Sequence, residues 1–278
     1  MGKLYVVGTP IGNLGDFSPR ACETLEKVDF IAAEDTRVTA KLLNHFGIKK
    51  PMVIYHKFNE IDEGERIVAR LLSGENCAIV TDAGMPCISD PGETLVKYCI
   101  KADIPVEVVP GPSAVVSALA VSGLSVSRFT FEGFLSVNKN SRREHLNELI
   151  HEKRTMVFYE APHKLLATLK DFYKTFGDRN IVIVKELTKI HESSWRGTLS
   201  EAVAYHTENE PKGEYVLLLD GETVDVADEK DPLEEAVNMA KSLLSDGKPA
   251  SYAAKEAARI YGVNKGDVYS LIIEKKPK

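Results

Sequence analysis

Strand and helix patterns alternate in a regular order across the first 125 residues. Short β-branched, apolar runs predict strands at 4–7, 30–33, 53–56, 78–81 and 106–109. Between them lie amphipathic helical patterns with recognisable start signals. Ser18 before Pro19 indicates an N-cap and a first helical residue, and Asp90-Pro91-Gly92-Glu93 indicates a cap, a proline and a capping-box glutamate. Such alternation predicts a parallel sheet with helices on both faces.

The pattern changes after Arg128. Strands are predicted at 129–133, 155–159, 181–185 and 215–219, and helices at 142–151, 164–176 and 200–206. These elements predict a second α/β unit with a mixed sheet, joined to the first by a small, polar hinge at 123–127. We therefore expect an α/β fold with an N-terminal α/β domain at 1–122 and a second α/β domain at 123–225.

The C-terminal part, 226–278, is expected to form a linker and a small helical domain. The acidic stretch 221–231 has no strand pattern and predicts the linker. Helical patterns follow at 233–245, 251–261 and 264–273, with Gly262 between the last two and Asn264 as a cap. Two short helices joined by a glycine turn are compatible with a helix-turn-helix. These helices either recognise nucleic acid or pack on the body or on a second subunit.

The composition excludes several classes of protein. With 44% hydrophobic and 27% charged residues among 278, the chain is expected to be folded rather than disordered. It has no run of 18 apolar residues and no secretory signal, so a cytoplasmic protein is expected. Its four cysteines show no metal-binding spacing, and no metal site is predicted. A net charge of −6 does not favour a general nucleic-acid binder, although it leaves room for basic patches.

The loops after the first-unit strands are rich in glycine, proline and acidic residues. Ligands bind beyond the carboxyl ends of strands in open α/β sheets, so these loops predict a ligand crevice. The first loop, 8–15, is neither G-x-G-x-x-G nor a phosphate loop, which disfavours dinucleotides and nucleoside triphosphates. In loop 81–92, Asp82 is suited to accept hydrogen bonds from ribose hydroxyls. Loop 110–114 begins a helix whose free amides suit a carboxylate or phosphate. Each loop alone is also compatible with an ordinary turn or helix cap.

Several motifs together resemble one enzyme family. They are VVGTPIGNL (6–14), AAEDTR (32–37), TDAGMPCISDPG (81–92), VVPGPSA (108–114), FEGFL (131–135), VFYEAPHK (157–164), KELTKIHE (185–192), WRGTL (195–199) and KGEYVLLL (212–219). In this order and spacing the chain resembles the bacterial ribosomal RNA small subunit methyltransferase I family of the tetrapyrrole methylase superfamily. The first loop, GTPIGN, departs from the glycine-rich loop usual in that superfamily, which disfavours a porphyrinoid substrate.

The resemblance implies an S-adenosylmethionine-dependent 2′-O-methyltransferase acting on a cytidine ribose in the decoding region of 16S rRNA. It implies a cofactor cleft between two α/β domains, a homodimer, and a substrate that is 16S rRNA in the 30S subunit. Carried over position by position, the cofactor-binding residues would be Pro10, Asp82, Met85, Ile88, Ser113, Ala114, Tyr159, Leu187 and Gly213.

Methyl transfer to a hydroxyl needs alignment and a nearby base. Glu34 or Asp35 is the favoured base, and Lys185 with Glu186, or Glu160, is an alternative. Arg37 is suited to hold a phosphate or the carboxylate itself. RNA contact is expected from local basic groups: Arg37, Lys41, His56, Lys139, Arg142 and Arg143, with Lys265, Lys275, Lys276 and Lys278 in the tail.

Other functions are compatible with parts of the sequence. A tetrapyrrole methylase and, more remotely, a diphthine-forming methylase share the superfamily, but the helical tail and the AAEDTR and FYEAPHK motifs disfavour both. A non-catalytic nucleotide-binding module would bind cofactor and transfer no methyl group. A nicotinamide oxidoreductase is disfavoured by the missing G-x-G-x-x-G.

Overall fold

The computed structural model describes residues 1–222 and 231–273. The chain divides into two compact units, Met1–Glu222 and Thr223–Lys278. Most of the predicted linker, and Lys275, Lys276 and Lys278 of the tail, lie outside the described residues. The division of the first unit near residue 122 stays a prediction. Among the described residues, no helix is long and apolar enough to cross a membrane.

The first sheet is fully parallel, as predicted. Its strands are β1 (Leu4–Val7), β2 (Phe30–Ala33), β3 (Met52–Ile54), β4 (Cys77–Val80) and β5 (Val106–Val109), in the order β3-β2-β4-β1-β5. The helices of this half are α1 (Pro19–Lys27), α2 (Thr36–His45), α3 (Glu60–Leu72), α4 (Glu93–Lys101) and α5 (Ala114–Ser122). Because all five strands run the same way, the loops that follow them lie at one edge.

Alternate residues of each strand face opposite sides of this sheet and bury two separate cores. Phe30 and Ile79 pack with Leu71 of α3 and Leu95 of α4 on one side. On the other side, another core joins the sheet to α1 and α2 through Val7, Ile31, Val80, Leu25 and Leu43. Helices therefore cover both faces, as the alternation predicts.

The second sheet is mixed, again as predicted. Its strands are β6 (Phe129–Phe134), β7 (Thr155–Glu160), β8 (Asn180–Lys185), β9 (Ser193–Thr198) and β10 (Tyr215–Leu219), in the order β6-β7-β10-β8-β9. Only β6 and β7 run parallel. The helices are α6 (Lys139–Glu148), α7 (Pro162–Phe176) and α8 (Leu199–Glu208). Strand β9 is not predicted from the sequence.

Helix α5 follows the first sheet but packs on the second. Val115 and Leu119 are buried against Val182 and Val216 of β8 and β10. From β9, the Arg196 guanidinium donates hydrogen bonds to the Ser122 and Val121 carbonyls at the end of α5, at 3.1 and 2.5 Å. A cation at a helix C-terminus satisfies carbonyls that have no partner within the helix. Helix α5 thus ties the two sheets together.

The C-terminal unit contains the three helices predicted from the sequence: α9 (Pro232–Ser245), α10 (Ala250–Tyr261) and α11 (Lys265–Ile273). Alanines allow close packing, and four of them on α10 join α9 residues and Val268 of α11 in one core. Gly262 ends α10 in the left-handed conformation at φ 67°. The Asn264 side chain accepts a hydrogen bond from the Gly266 amide at 2.7 Å, as expected of a cap.

Candidate functional site

A cleft of about 540 Å³ lies between the carboxyl-end loops of the first sheet and one edge of the second sheet. At that edge β7 and β8 end and β10 begins, since Tyr215, the first residue of β10, pairs with both Glu160 and Lys185. The cleft-lining residues are Ile11, Glu34, Thr81, Asp82, Ala83, Gly84, Met85, Ile88, Ser89, Asp90, Ser113, Ala114, Phe134, Tyr159, Glu160, Ala161, Pro162, Val184, Leu187, Glu214, Tyr215 and Val216. The volume lies within the roughly 300–1,000 Å³ usual for small-molecule sites.

Close backbone contacts hold three of the loops in place. Thr9 and Gly84 exchange two backbone hydrogen bonds, at 2.9 and 3.1 Å. Gly111 lies against Gly8, so that a Cβ added at Gly111 would be 2.8 Å from the Gly8 backbone. The Gly111 amide also lies 3.3 Å from the Met85 sulfur. The loops 8–15, 81–92 and 110–114 therefore form one rigid wall, and glycine is required where two backbones meet.

The loop 81–92 carries two non-glycine residues in the left-handed region, Cys87 at φ 73° and Ser89 at φ 68°. Such conformations cost of the order of 1–3 kcal/mol each and concentrate at functional sites. Gly92 follows at φ 136° and is the residue before α4. The prediction that Asp90 caps this helix is therefore wrong: the helix begins at Glu93, and the Asp90 side chain lines the cleft instead.

Three carboxyl groups, of Glu34, Asp82 and Asp90, face the cleft together. The Thr81 hydroxyl donates to the Glu34 carboxylate at 2.6 Å. Burial, followed by the negative charge of Glu34, raises the pKa of Asp90 to about 6. The same two causes raise the pKa of Asp82. This wall of the cleft is therefore suited to a cationic ligand and to hydroxyl groups, and it holds a carboxyl that takes up a proton near neutral pH.

Asp35 differs from its neighbour Glu34 because its carboxylate forms an ion pair with Arg37. It accepts hydrogen bonds from the Arg37 amide at 2.8 Å and from the Arg37 guanidinium at 3.0 and 2.6 Å. These bonds lower the pKa of Asp35 to about 2. Its backbone amide donates to Asp82 at 3.2 Å, while its side chain caps α2 and does not line the cleft.

The opposite wall comes from the second sheet. The Tyr159 ring lies 5.0 Å from that of Phe131 and 5.4 Å from that of Phe134, measured between centroids. Burial raises the pKa of Tyr159 to about 12, so its hydroxyl stays protonated. Glu160 is buried, and it accepts hydrogen bonds from the Thr168 hydroxyl and, at 2.9 Å, from the Ala161 amide. This wall therefore combines an aromatic surface with a buried carboxyl group.

Most of the predicted cofactor residues lie together. The structure places Asp82, Met85, Ile88, Ser113, Ala114, Tyr159 and Leu187 in the cleft wall. Pro10, Gly213 and the catalytic candidate Lys185 do not line it, although Ile11, Glu214 and Val184 beside them do. Asp90, Phe134 and Tyr215 were not predicted as part of the site. The roles of all these residues stay predictions.

The predicted RNA-binding residues divide into two kinds. Arg37, Lys41, Lys139 and Arg143 are exposed. Arg142, in contrast, donates to Asp171 at 2.7 Å and to the Thr168 hydroxyl at 2.8 Å, which joins α6 to α7. His56 is half-buried, and its Nδ1 has no hydrogen-bond partner among the described residues. Within residues 1–222 and 231–273, no group of three or more acidic, histidine or cysteine side chains is arranged to hold a metal ion.

The raised pKa of Asp90 predicts a pH-dependent gain of stability in Asp90→Asn. The folded chain binds this proton more tightly than the unfolded chain, whose pKa is near 3.8. The carboxyl therefore lowers the free energy of unfolding as pH rises from about 4 to about 6. Allowing for its partial exposure, Asp90→Asn should stabilise the protein by about 1 kcal/mol at pH 8 and not at pH 4. Thermal unfolding at both pH values measures the difference.

The matched control is Glu93→Gln, because Lys97 lowers the pKa of this nearby exposed carboxyl. Glu93→Gln should slightly destabilise the protein at pH 8, whereas Asp90→Asn should stabilise it. Equal effects of Asp90→Asn on the melting temperature at pH 4 and pH 8 would contradict the assignment.

Residues 3–203 match the model of the Tetrapyrrole (Corrin/Porphyrin) Methylases. The methyltransferase CobJ superposes with a TM-score of 0.60 at 18% identity, covering 80% of this chain and 95% of its own. Uroporphyrin-III C-methyltransferase from Thermus thermophilus, complexed with S-adenosyl homocysteine, gives 0.55 at 19% identity, covering 81% and 100%. The fold is thus that of the tetrapyrrole methylases.

Closer relatives define the group within that class. Proteins named Ribosomal RNA small subunit methyltransferase I are 48% identical in Synechocystis sp., covering 99% of this chain and 98% of their own, and 42% identical in Escherichia coli O157:H7, covering 99% and 96%. The chain therefore belongs to the ribosomal RNA small subunit methyltransferase I family of the tetrapyrrole methylases. The predicted family, fold class, methyltransferase activity and S-adenosylmethionine cofactor are confirmed.

Proposed function

We propose that this chain transfers a methyl group from S-adenosylmethionine to the 2′-hydroxyl of a cytidine ribose in the decoding region of 16S rRNA, within the 30S subunit. The names of the relatives support ribosomal RNA of the small subunit as the substrate. The observation that carries the reaction is the Glu34 carboxylate, which faces the cofactor cleft and has the Thr81 hydroxyl as a hydrogen-bond donor. The reaction takes place in the cytoplasm, where such subunits are present.

The cleft fits S-adenosylmethionine in charge as well as in volume. Its cationic sulfonium and ammonium groups suit the carboxyl groups of Asp82, Asp90 and Glu160. The first amides of α5 have no side-chain cap, because Ser113 makes no capping hydrogen bond. A helix N-terminus of this kind suits the carboxylate of the methionyl part. Tyr159 and Phe134 offer an aromatic surface for the adenine ring.

Bound S-adenosylmethionine supplies a methyl group that is already activated by its sulfonium. The protein has to align the ribose oxygen with that methyl group and to remove the hydroxyl proton. Glu34 accepts this proton as the oxygen–carbon bond forms and the carbon–sulfur bond breaks, which leaves a 2′-O-methyl ribose and S-adenosylhomocysteine. Asp35 is less suited, since Arg37 stabilises its ionised form.

Exposed cations near the cleft provide contacts for the phosphate backbone. Arg37 and Lys41 lie on α2, which begins directly after Glu34 and Asp35. Lys139 and Arg143 are exposed on α6, which follows β6 and the cleft residue Phe134. Phosphate contacts of this kind strengthen binding without reading sequence.

Methyl transfer to the subunit tests the proposal directly. Radiolabelled S-adenosylmethionine is incubated with 30S subunits that lack native modification, and nuclease digestion then identifies the labelled nucleoside. Label in a 2′-O-methylcytidine of 16S rRNA supports the function. Label on a base, or none although the cofactor binds, contradicts it, and tetrapyrrole acceptors would be assayed next.

We also propose that the chain forms a homodimer. Strand β5 is at the edge of its sheet, and Val106 and Val108 on it are exposed. Val116 and Val121 on α5 and Phe129 on β6 are exposed as well. Exposed sheet edges and apolar surfaces are commonly covered by a second subunit. Light scattering of the wild type should give a molecular mass of twice the 30.7 kDa of one chain. The double variant Val108→Glu, Val116→Glu should give the mass of a single chain. A wild type with the mass of a single chain would contradict the proposal.

A further inference from the structure

Phe58 is held in an exposed position by a rigid turn. Its side chain is 94% accessible to solvent. The turn after β3 is closed by two hydrogen bonds: the Asn59 amide donates to the His56 carbonyl at 3.0 Å, and the His56 amide donates to the Asn59 side chain at 2.8 Å. The Asn59 side chain also donates to the Ile54 carbonyl at 2.9 Å. These hydrogen bonds fix the backbone of the turn and leave the Phe58 ring free to contact a partner in solvent.

The turn lies at the same edge of the sheet as the cleft. Strand β3 pairs in parallel with β2, and the Tyr55 amide donates to the Ala33 carbonyl at 2.8 Å, next to Glu34. After the turn, the Glu60 side chain accepts a hydrogen bond from the Thr94 hydroxyl at 2.9 Å. The turn is thereby tied to the start of α4, directly after the loop that carries Asp82 and Asp90. Phe58 thus lies at the edge of the sheet where the cleft is, without being part of the cleft wall.

We propose that Phe58 stacks on an unpaired nucleobase of the RNA substrate and so strengthens the binding of that RNA beside the cleft. The inference rests on the proposed function and adds a residue that selects single-stranded RNA. Aromatic side chains stack on unpaired bases of any sequence, because every base has an aromatic face. The adjacent Lys57 is exposed and supplies a cation for the backbone of the same strand. The His56 ring meets the Phe58 ring edge to face, at 6.0 Å between centroids, and supports its orientation.

Steady-state kinetics with this protein, S-adenosylmethionine and unmodified 30S subunits test the stacking. Phe58→Ala should raise KM for the subunit by about tenfold and leave kcat and the cofactor Kd unchanged, since stacking on one base has this size of effect. Phe58→Leu should behave like Phe58→Ala, whereas Phe58→Trp should retain the wild-type KM. As a control, Tyr173→Ala removes an exposed aromatic side chain near the C-terminal end of α7. It should leave KM, kcat and the cofactor Kd at their wild-type values.

An apolar contact with a ribosomal protein would give a different result. In that case Phe58→Leu would retain the wild-type KM, and the proposal would be wrong. An unchanged KM in Phe58→Ala would overturn it equally.

A binding measurement separates this inference from the methyl-transfer function. The chain has one tryptophan, so the tryptophan fluorescence added by Phe58→Trp is obtained by subtracting a wild-type titration. A single-stranded oligocytidine RNA should quench this added fluorescence, and an RNA duplex of equal charge should not. Quenching without methyl transfer by the wild type would reject the proposed function and keep the inference. Equal responses to the two RNAs, or none, would reject the inference.

Discussion

Replacing Glu34 with glutamine is expected to reduce kcat for methyl transfer about 10²- to 10⁴-fold, the usual contribution of a positioned general base. The amide keeps the size of the side chain, and its oxygen is still able to accept the hydrogen bond that Thr81 donates. It has no ionisable oxygen to take the ribose proton. The cofactor Kd and the melting temperature should therefore stay close to those of the wild type. Single-turnover transfer to 30S subunits, together with calorimetric cofactor binding, measures both effects.

Asp35→Asn is the matched control, one residue further along the chain. Asparagine is as good an N-cap as aspartate, so α2 should remain intact. The Asp35 carboxylate is bound to Arg37 and lies outside the cleft wall, and its loss should reduce kcat much less than Glu34→Gln. If the Asp35 variant lost the activity and the Glu34 variant kept it, the base would be Asp35 and the present assignment would be wrong.

Local sequence patterns were sufficient for most of the fold. Parallel central strands are buried on both faces, so 4–7 and 30–33 read as continuous apolar runs and match β1 and β2. Strand β9, Ser193–Thr198, has no such run because it is an edge strand paired only with β8 and largely exposed. Helix α6 begins at Lys139 rather than 142, since the Asn138 side chain caps it through the Asn140 and Ser141 amides.

The site was only partly predictable, because side-chain direction there depends on distant contacts. Strand-end loops indicated a crevice, and most of the predicted cofactor residues lie in one cleft. The sequence around Asp90 has the pattern of a helix start, and only the turn at Gly92 leaves its carboxyl in the cleft. Glu34 and Asp35 were equivalent as a sequence pair. They are distinguished by the Thr81 hydroxyl, 47 residues away, and by the capping of α2.

Replacing Gly111 with alanine is expected to disrupt the first-sheet wall of the cleft. The new Cβ would lie 2.8 Å from the Gly8 Cα and carbonyl carbon and 2.9 Å from its oxygen, all backbone atoms that no rotamer change moves aside. Separating the two loops would also displace Ser113 and Ala114 at the start of α5. We expect a loss of about 1–3 kcal/mol of stability, as overpacking causes. A displacement of about 1 Å at the site should reduce methyl transfer about 100-fold.

Gly15→Ala separates this steric effect from a general intolerance of loop substitutions. Gly15 belongs to the same first loop as Gly8, and its nearest neighbour is the Asn13 side-chain oxygen, 3.1 Å from an added Cβ, with no backbone in the way. Its cofactor affinity and melting temperature should match those of the wild type, whereas Gly111→Ala should weaken cofactor binding in calorimetry. Since Gly111 does not adopt a positive φ, any loss arises from the contact with Gly8 rather than from backbone strain. Normal cofactor binding by Gly111→Ala would show that the two loops separate without consequence, and the rigid wall would not be needed for the site.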